Sequence, residues 1–309
     1  MAWMLLALPA GGIVRTVPRR DPHPYRRAVP VAGSLPALRG PASIVGASLS
    51  LHSAAALAVT AFAAFGAAGT GALRFAVGAA VLLALTRPRL RGRSPAAWRA
   101  IVALGASATL ASLCLYEAID RIPLGTAATL QFLGPLTVAL LGARRRLDVA
   151  CAAAAAGGVV LLCGPSGVEP AGVAFALAAA VLAAAAIFAT ARVGERTGGL
   201  DGLALALGFA SVCLLPLSVP AALAAPGAGD LAVIVLVGIL GSVIPQSLFF
   251  DAVRRVGART YSILLSLDPG VAAFVGVLWL GQGLGPPELA GVALVVAASA
   301  VAVGTPRRE

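Results

Sequence analysis

Arg74, Gln131, Gln246, Ser247 and Asp268 stand inside stretches otherwise written in alanine, leucine, valine and glycine. Their side chains are the ones a small polar molecule would need. Arg74 offers a permanently charged fork that fits a carboxylate. Asp268 offers a counter-charge for an ammonium group or a place to take up a proton. Gln131, Gln246 and Ser247 add uncharged hydrogen bonds. An ionised side chain at mid-bilayer costs about 2.5–3.5 kcal/mol on insertion scales, so each one calls for a reason. Besides binding, Arg74 could snorkel toward headgroups, Asp268 could partner Arg74 or a backbone amide, and Gln131 could satisfy a neighbouring helix.

Proline marks two of these sites. Asp268 immediately precedes Pro269, and Gln131 lies four residues before Pro135. A proline inside a helix removes one backbone hydrogen bond and frees the carbonyl four residues back, so polar groups gather there. Gly134, Pro135 and Pro269 are therefore expected to be helix kinks. On helical spacing Tyr261, Leu265, Asp268 and Ala272 share a face, and Ser247 and Asp251 are one turn apart. Asp268 leads the candidates for proton coupling. Glu117 and Asp251, at the ends of apolar segments, follow it and read as interfacial. His52, the only histidine after residue 42, fits a satisfied core side chain better than a proton relay.

These residues need long apolar helices to hold them. The chain has 309 residues, 60% of them hydrophobic and 11% charged, a balance outside that of soluble domains. About 20 apolar residues cross the hydrocarbon core, and no strand-like alternation competes. The fold class expected is an all-α integral membrane protein with ten transmembrane helices, at roughly 44–63, 70–86, 100–118, 126–141, 149–163, 171–190, 202–223, 231–251, 260–280 and 287–305.

Shifting the sequence by 134 residues lays Tyr116-Glu117-Ala118 on Phe250-Asp251-Ala252, Arg121 on Arg255, Thr126 on Thr260, Pro135 on Pro269 and Gly142 on Gly276. An internal repeat in a polytopic membrane protein points to transport. Five helices is an odd number, so the two repeats would lie in opposite orientations. The domains expected are a cytoplasmic tail or upstream mis-start over 1–42, a first five-helix repeat over 43–165, a second over 166–306, and a cytoplasmic end over 307–309. All basic residues are arginine, and with the tail inside, 21 of the 23 fall in cytoplasmic segments. The positive-inside rule then puts both termini in the cytoplasm of a multi-pass inner-membrane protein.

Other classes are excluded by what is missing. Gly164-Pro165-Ser166-Gly167 resembles a serine-protease motif, yet no histidine follows His52 to act as base. Gly227-Ala228-Gly229-Asp230 resembles an intramembrane aspartyl-protease motif, yet Asp230 falls in a loop and the preceding spans hold no second aspartate. There is no phosphate-binding loop for ATP. Cys114, Cys151, Cys163 and Cys213 lie in apolar segments without metal or redox spacing. The net charge of +11 follows loop arginines rather than a nucleic-acid surface. No enzyme activity, cofactor, metal or nucleic-acid partner is expected. The partners are a small-molecule substrate, protons and the lipid bilayer, and a homodimer is compatible with the sequence.

The run from Tyr116 to Leu140, the Ala72-Leu73-Arg74-Phe75-Ala76-Val77-Gly78 stretch and the Ser266-to-Gln282 stretch resemble the drug/metabolite transporter superfamily, EamA-type. Within it they most resemble the threonine/homoserine exporter branch, over about residues 43 to 305. The resemblance implies two inverted five-helix repeats, alternating access, and efflux of small neutral amino acids by proton antiport. Arg74 matches the arginine of the second helix, Gly134-Pro135 the kink of the fourth, and Asp268-Pro269 a Glu-Pro. Gln131 and Gln282 depart from the pattern, standing where glutamates are usual. Two alternatives remain at this point: export of another metabolite or a drug, and a non-transporting accessory subunit.

Overall fold

Glycine at position 66 turns the chain back on itself and so fixes the first layer of the molecule. The structure, a computed structural model, describes residues 39–140, 146–163, 169–197, 200–224, 227–245, 248 and 264–304. Its first helix, α1 (Arg39–Thr86), is nominally 48 residues long, but Gly66 sits at φ 67° and ψ 163°, far from helical values. Residues 54 and 74 would be roughly 30 Å apart in a straight helix. Instead the Ala54 and Arg74 side chains flank the same residue, Gly241. The two halves of α1 are thus the arms of a hairpin, and they carry the expected spans 44–63 and 70–86.

The remaining elements are α2 (Pro95–Ile119), α3 (Leu124–Leu140), α4 (Arg146–Cys163), α5 (Pro170–Arg196), α6 (Leu200–Cys213), α7 (Leu215–Leu223), α8 (Ala228–Gly238), a π-helical turn (Ile239–Val243), α9 (Asp268–Leu280) and α10 (Pro286–Gly304). No strand occurs among the described residues. Local chemistry sets several boundaries. Ser94 accepts from the Ala97 amide at the start of α2, with Pro95 just inside. Gly281, at φ 61°, ends α9 in a left-handed cap, with the Gln282 amide bonded to the Gly276 carbonyl.

Two features differ from the sequence reading. The segment expected at 202–223 is broken into α6 and α7, bent by 67°, because Pro216 and Pro220 cannot donate to the preceding turn. The segment expected at 231–251 passes from α8 into the π turn. There Ser50 donates to the Leu240 carbonyl at 2.7 Å and Arg74 to the Gly241 carbonyl at 3.4 Å, tying that turn to both arms of α1. Residues 249–263 lie outside the described residues, as do the repeat partners Phe250, Asp251, Ala252, Arg255 and Thr260.

Packing runs through small side chains, as it does in membrane bundles. α2 lies along α5, α4 along α10, α3 against α5 and α9, and the α1 hairpin against α6, α7, α8 and the π turn. The main core joins Ala56, Tyr116, Leu124, Leu130, Ala176, Val237 and Val275, drawn from six of these helices. Large apolar side chains, among them Leu85, Val160, Val181, Leu223, Phe274 and Trp279, face outward. An outer surface this apolar suits lipid. Among the described residues three helices, Ala42–Thr86, Pro95–Ile119 and Pro170–Arg196, are long and apolar enough to cross a membrane, and the bent α6–α7 pair makes a fourth if counted as one span.

Gly66 gives a direct test of the hairpin. Nothing lies within 4 Å of a Cβ placed there, so Gly66→Ala meets only backbone strain, in a region of φ/ψ that is essentially glycine's alone. The substitution is expected to cost about 1–3 kcal/mol, read as a lowered melting temperature of the detergent-purified protein, without a change in helix content.

Candidate binding site

The second arm of α1 delivers Arg74 to the interior, where the residue is 7% exposed. Its Nη2 donates to Ser112 Oγ on α2 at 3.0 Å and its Nη1 to the Gly241 carbonyl of the π turn at 3.4 Å. The guanidinium stands over the rings of Phe75, at 4.9 Å, and Tyr116, at 5.3 Å. Gly241 makes this position possible, since a Cβ there would come within 3.2 Å of Nη1. No carboxylate lies within ion-pair distance of Arg74 among the described residues. Each aromatic face supplies about 0.5–2 kcal/mol, comparable with the cost of the buried charge, while Nε makes no aligned hydrogen bond among the described residues. Snorkelling does not describe this side chain, which is held on both sides by protein.

The first arm of α1 builds a second cluster. Ser48 and His52 are one turn apart, on one face, and both meet Asp268 at the start of α9. Ser48 Oγ donates to Oδ1 at 2.6 Å, and His52 Nε2 lies 3.1 Å from Oδ2. That His52 contact has ion-pair distance without hydrogen-bond alignment. The partners of Asp268 are thus a histidine and a serine of α1, not Arg74 or a backbone amide. Pro269 occupies the first turn of α9, after a break in the helix at Ser266-Leu267. Its missing N–H leaves the Leu265 carbonyl free of the usual bond.

α3 closes the neighbourhood. Phe132 packs with Ala47 and Leu265, and Gln131 beside it is half-buried. The helical assignment continues through Gly134 and Pro135, and Gly134 presses against the Ala180 backbone of α5. Gln282, one of the two departures from the family pattern, joins two helices. Its Oε1 accepts from the Leu124 amide at 2.9 Å and caps α3 from the end of α9.

Glu117 stands apart from these clusters. Arg121, one turn on, donates to its Oε2 at 2.7 Å, lies 3.7 Å from Glu169 and covers the Phe175 ring. The hydrogen bond to Glu117 raises the Arg121 pKa further. Glu117 also borders an open cavity of about 480 Å³ with Phe65, Gly66, Pro216 and Pro220, at the turn of the α1 hairpin. Gln246, Ser247 and Asp251 lie outside the described residues.

Sequence reasoning passes over Ser48, Ser112 and Tyr116 as site residues and favours an inert His52. The signal is present as spacing: Ser48–His52 and Ser112–Tyr116 are both i, i+4 pairs that set two polar groups on one face of an apolar helix.

Apolar side chains facing outward and rare polar groups held inside mark a multi-pass membrane protein, and comparison with known proteins gives its kind. Residues 170–304 match the EamA-like transporter family. Over 277 residues the chain is 34% identical to the threonine/homoserine exporter RhtA of Escherichia coli K12, covering 85% of this chain and 90% of that one. It is 33% identical over 280 residues to the threonine/homoserine exporter RhtA of Salmonella typhimurium SL1344, covering 84% and 90%. A crystal structure with 23% identity superposes with a TM-score of 0.52 over 84% of this chain and 96% of that chain, a likeness of fold. The chain belongs to the EamA-like transporter family, in the branch of the threonine/homoserine exporters, and is a transporter rather than an enzyme.

The contact between α1 and α9 is testable by a double-mutant cycle. His52→Gln and Asp268→Asn, singly and together, are expected to show a coupling energy of about 1–3 kcal/mol in thermal or denaturant unfolding. A coupling of zero would mean that the two side chains do not interact.

Proposed function

We propose that this transporter exports small neutral amino acids of the threonine and homoserine type across the cytoplasmic membrane, in exchange for protons and by alternating access. The observation that supports the reading is that the two arms of the α1 hairpin carry or meet groups of opposite charge, Arg74 on the second arm and Asp268 against the first. Arg74 is buried with no carboxylate at ion-pair distance among the described residues, and Asp268 is held by the uncharged Ser48 and the titratable His52. A zwitterion presents the complementary groups. The names of the relatives point the same way.

In this reading Arg74 holds the substrate carboxylate and Asp268 its ammonium group. Gln131, with Gln246 and Ser247, hydrogen-bonds the polar side chain. Antiport follows from competition, because a carboxylate that has taken a proton no longer attracts an ammonium ion. Asp268 is the principal proton site. Glu117, bound to Arg121, is left with the lesser role, and Asp251 is the other candidate. Ten helices in inverted repeats over 43–165 and 166–306 would rock about Pro135 and Pro269, with both termini cytoplasmic. A homodimer is compatible with this scheme.

Uptake of labelled threonine into proteoliposomes of the purified protein, with and without an imposed pH gradient, checks this. Gradient-driven accumulation competed by homoserine and not by ethidium is expected. Asp268→Asn should abolish the response to the gradient while leaving the protein inserted. Arg74→Ala should weaken carboxylate-bearing substrates and spare amines that lack one. Ethidium moving in place of threonine would keep the transporter and replace its substrate.

A further inference from the structure

Two buried donors stand side by side in the Arg74 site, neither in an aligned hydrogen bond among the described residues. Tyr116 is 1% exposed and Arg74 is 7% exposed; the phenol oxygen lies within reach of the guanidinium, but neither Tyr116 Oη nor Arg74 Nε makes an aligned hydrogen bond among the described residues. Buried polar atoms are almost always satisfied, so each exception calls for an explanation. Both atoms belong to the same constellation, since the guanidinium lies over the Tyr116 ring at 5.3 Å. The other guanidinium nitrogens are already engaged by Ser112 and the Gly241 carbonyl. Nε is the guanidinium nitrogen without a bond of its own.

We infer that the Tyr116 hydroxyl and Arg74 Nε together form a carboxylate seat, in which Tyr116 is a specificity-determining residue. The inference rests on Arg74 being the carboxylate-binding residue and adds the second donor. Nε is charged and donates only, and the phenol donates as a neutral group, so an acceptor of negative charge with two oxygens satisfies both at once. A carboxamide offers a single oxygen and its own N–H groups, which would be aimed at donors. An amine lacking a carboxylate leaves both atoms as they are. The seat therefore selects for the carboxylate and not merely for an anion near a positive charge.

The neighbours keep these donors in place. The Phe62 ring lies 5.7 Å from that of Tyr116 and Phe75 covers the guanidinium. Position 250, which the sequence repeat pairs with Tyr116, is phenylalanine. The ring belongs to the repeated pattern and the hydroxyl to the first half alone.

Tyr116→Phe keeps the ring and its contact with Arg74 and deletes only the hydroxyl. Binding of L-threonine and of L-threoninamide to the purified wild type, Tyr116→Phe and Arg74→Lys, by equilibrium dialysis, separates the possibilities. Expected is a roughly ten- to hundredfold weaker affinity of Tyr116→Phe for threonine, no weakening for threoninamide, and an unchanged melting temperature without ligand. Tyr116→Phe binding threonine as tightly as the wild type would overturn the inference. With Arg74→Lys weakened at the same time, the arginine reading would stand alone; with Arg74→Lys also unchanged, both would fall. Acetate against chloride at equal ionic strength, read as a shift in melting temperature, tests the seat whatever the full substrate is. Stabilisation of the wild type that is lost in Tyr116→Phe supports it, and no acetate-specific stabilisation of the wild type overturns it.

Discussion

A guanidinium cannot shed its charge, so an arginine buried among apolar helices dictates what surrounds it. Arg74 obtains a hydroxyl from α2, a carbonyl from the π turn and two aromatic faces. They come from α2, from the π turn and from α1 itself. The departure from α-helical geometry at Ile239–Val243 sits where both arms of α1 reach its carbonyls, which is where π turns commonly occur, beside functional groups. Without the reversal at Gly66, the arm bearing Arg74 and the arm bearing His52 would be far apart along one rod.

The second charge obeys the same constraint by other means. Asp268 can lose its charge, and the structure gives it one partner that donates without charge, Ser48, and one whose charge depends on a proton, His52. Both partners stand on α1 while Asp268 begins α9, so the contact crosses between the beginning and the end of the chain. A contact of that kind responds to protonation and to any relative movement of the two elements. Gln282 reinforces this junction from the other end of α9 by capping α3 with an amide that does not titrate. A glutamate there would add a charge to a helix junction; glutamine supplies the acceptor without one.

Small side chains let these polar groups meet. The buried core is dominated by alanine, and where helices press closest, as Gly134 does on Ala180 and Gly241 on Arg74, a side chain would intrude. In a bilayer, close backbone approach replaces hydrophobic burial as the source of helix adhesion. Bulky leucine, valine and phenylalanine are left for the outside, an arrangement that only lipid makes favourable.

Much of this molecule was legible in its sequence, because the bilayer enforces simple rules. Apolar runs with rare polar interruptions require helices, and the cost of an intramembrane charge singled out Arg74 and Asp268 before any coordinates. The proline at 269 fell at a helix break, and the family followed from the runs around Arg74, Tyr116 and Asp268. What the sequence could not give was partnership. Asp268 belongs to His52 and Ser48, 216 and 220 residues away in the chain, and Tyr116, which reads as one aromatic among others in a repeated run, carries its hydroxyl to Arg74. Periodicity tells which face of a helix a side chain occupies. Only the packing of the helices, set by where glycine and alanine allow backbones to approach, decides what that face meets.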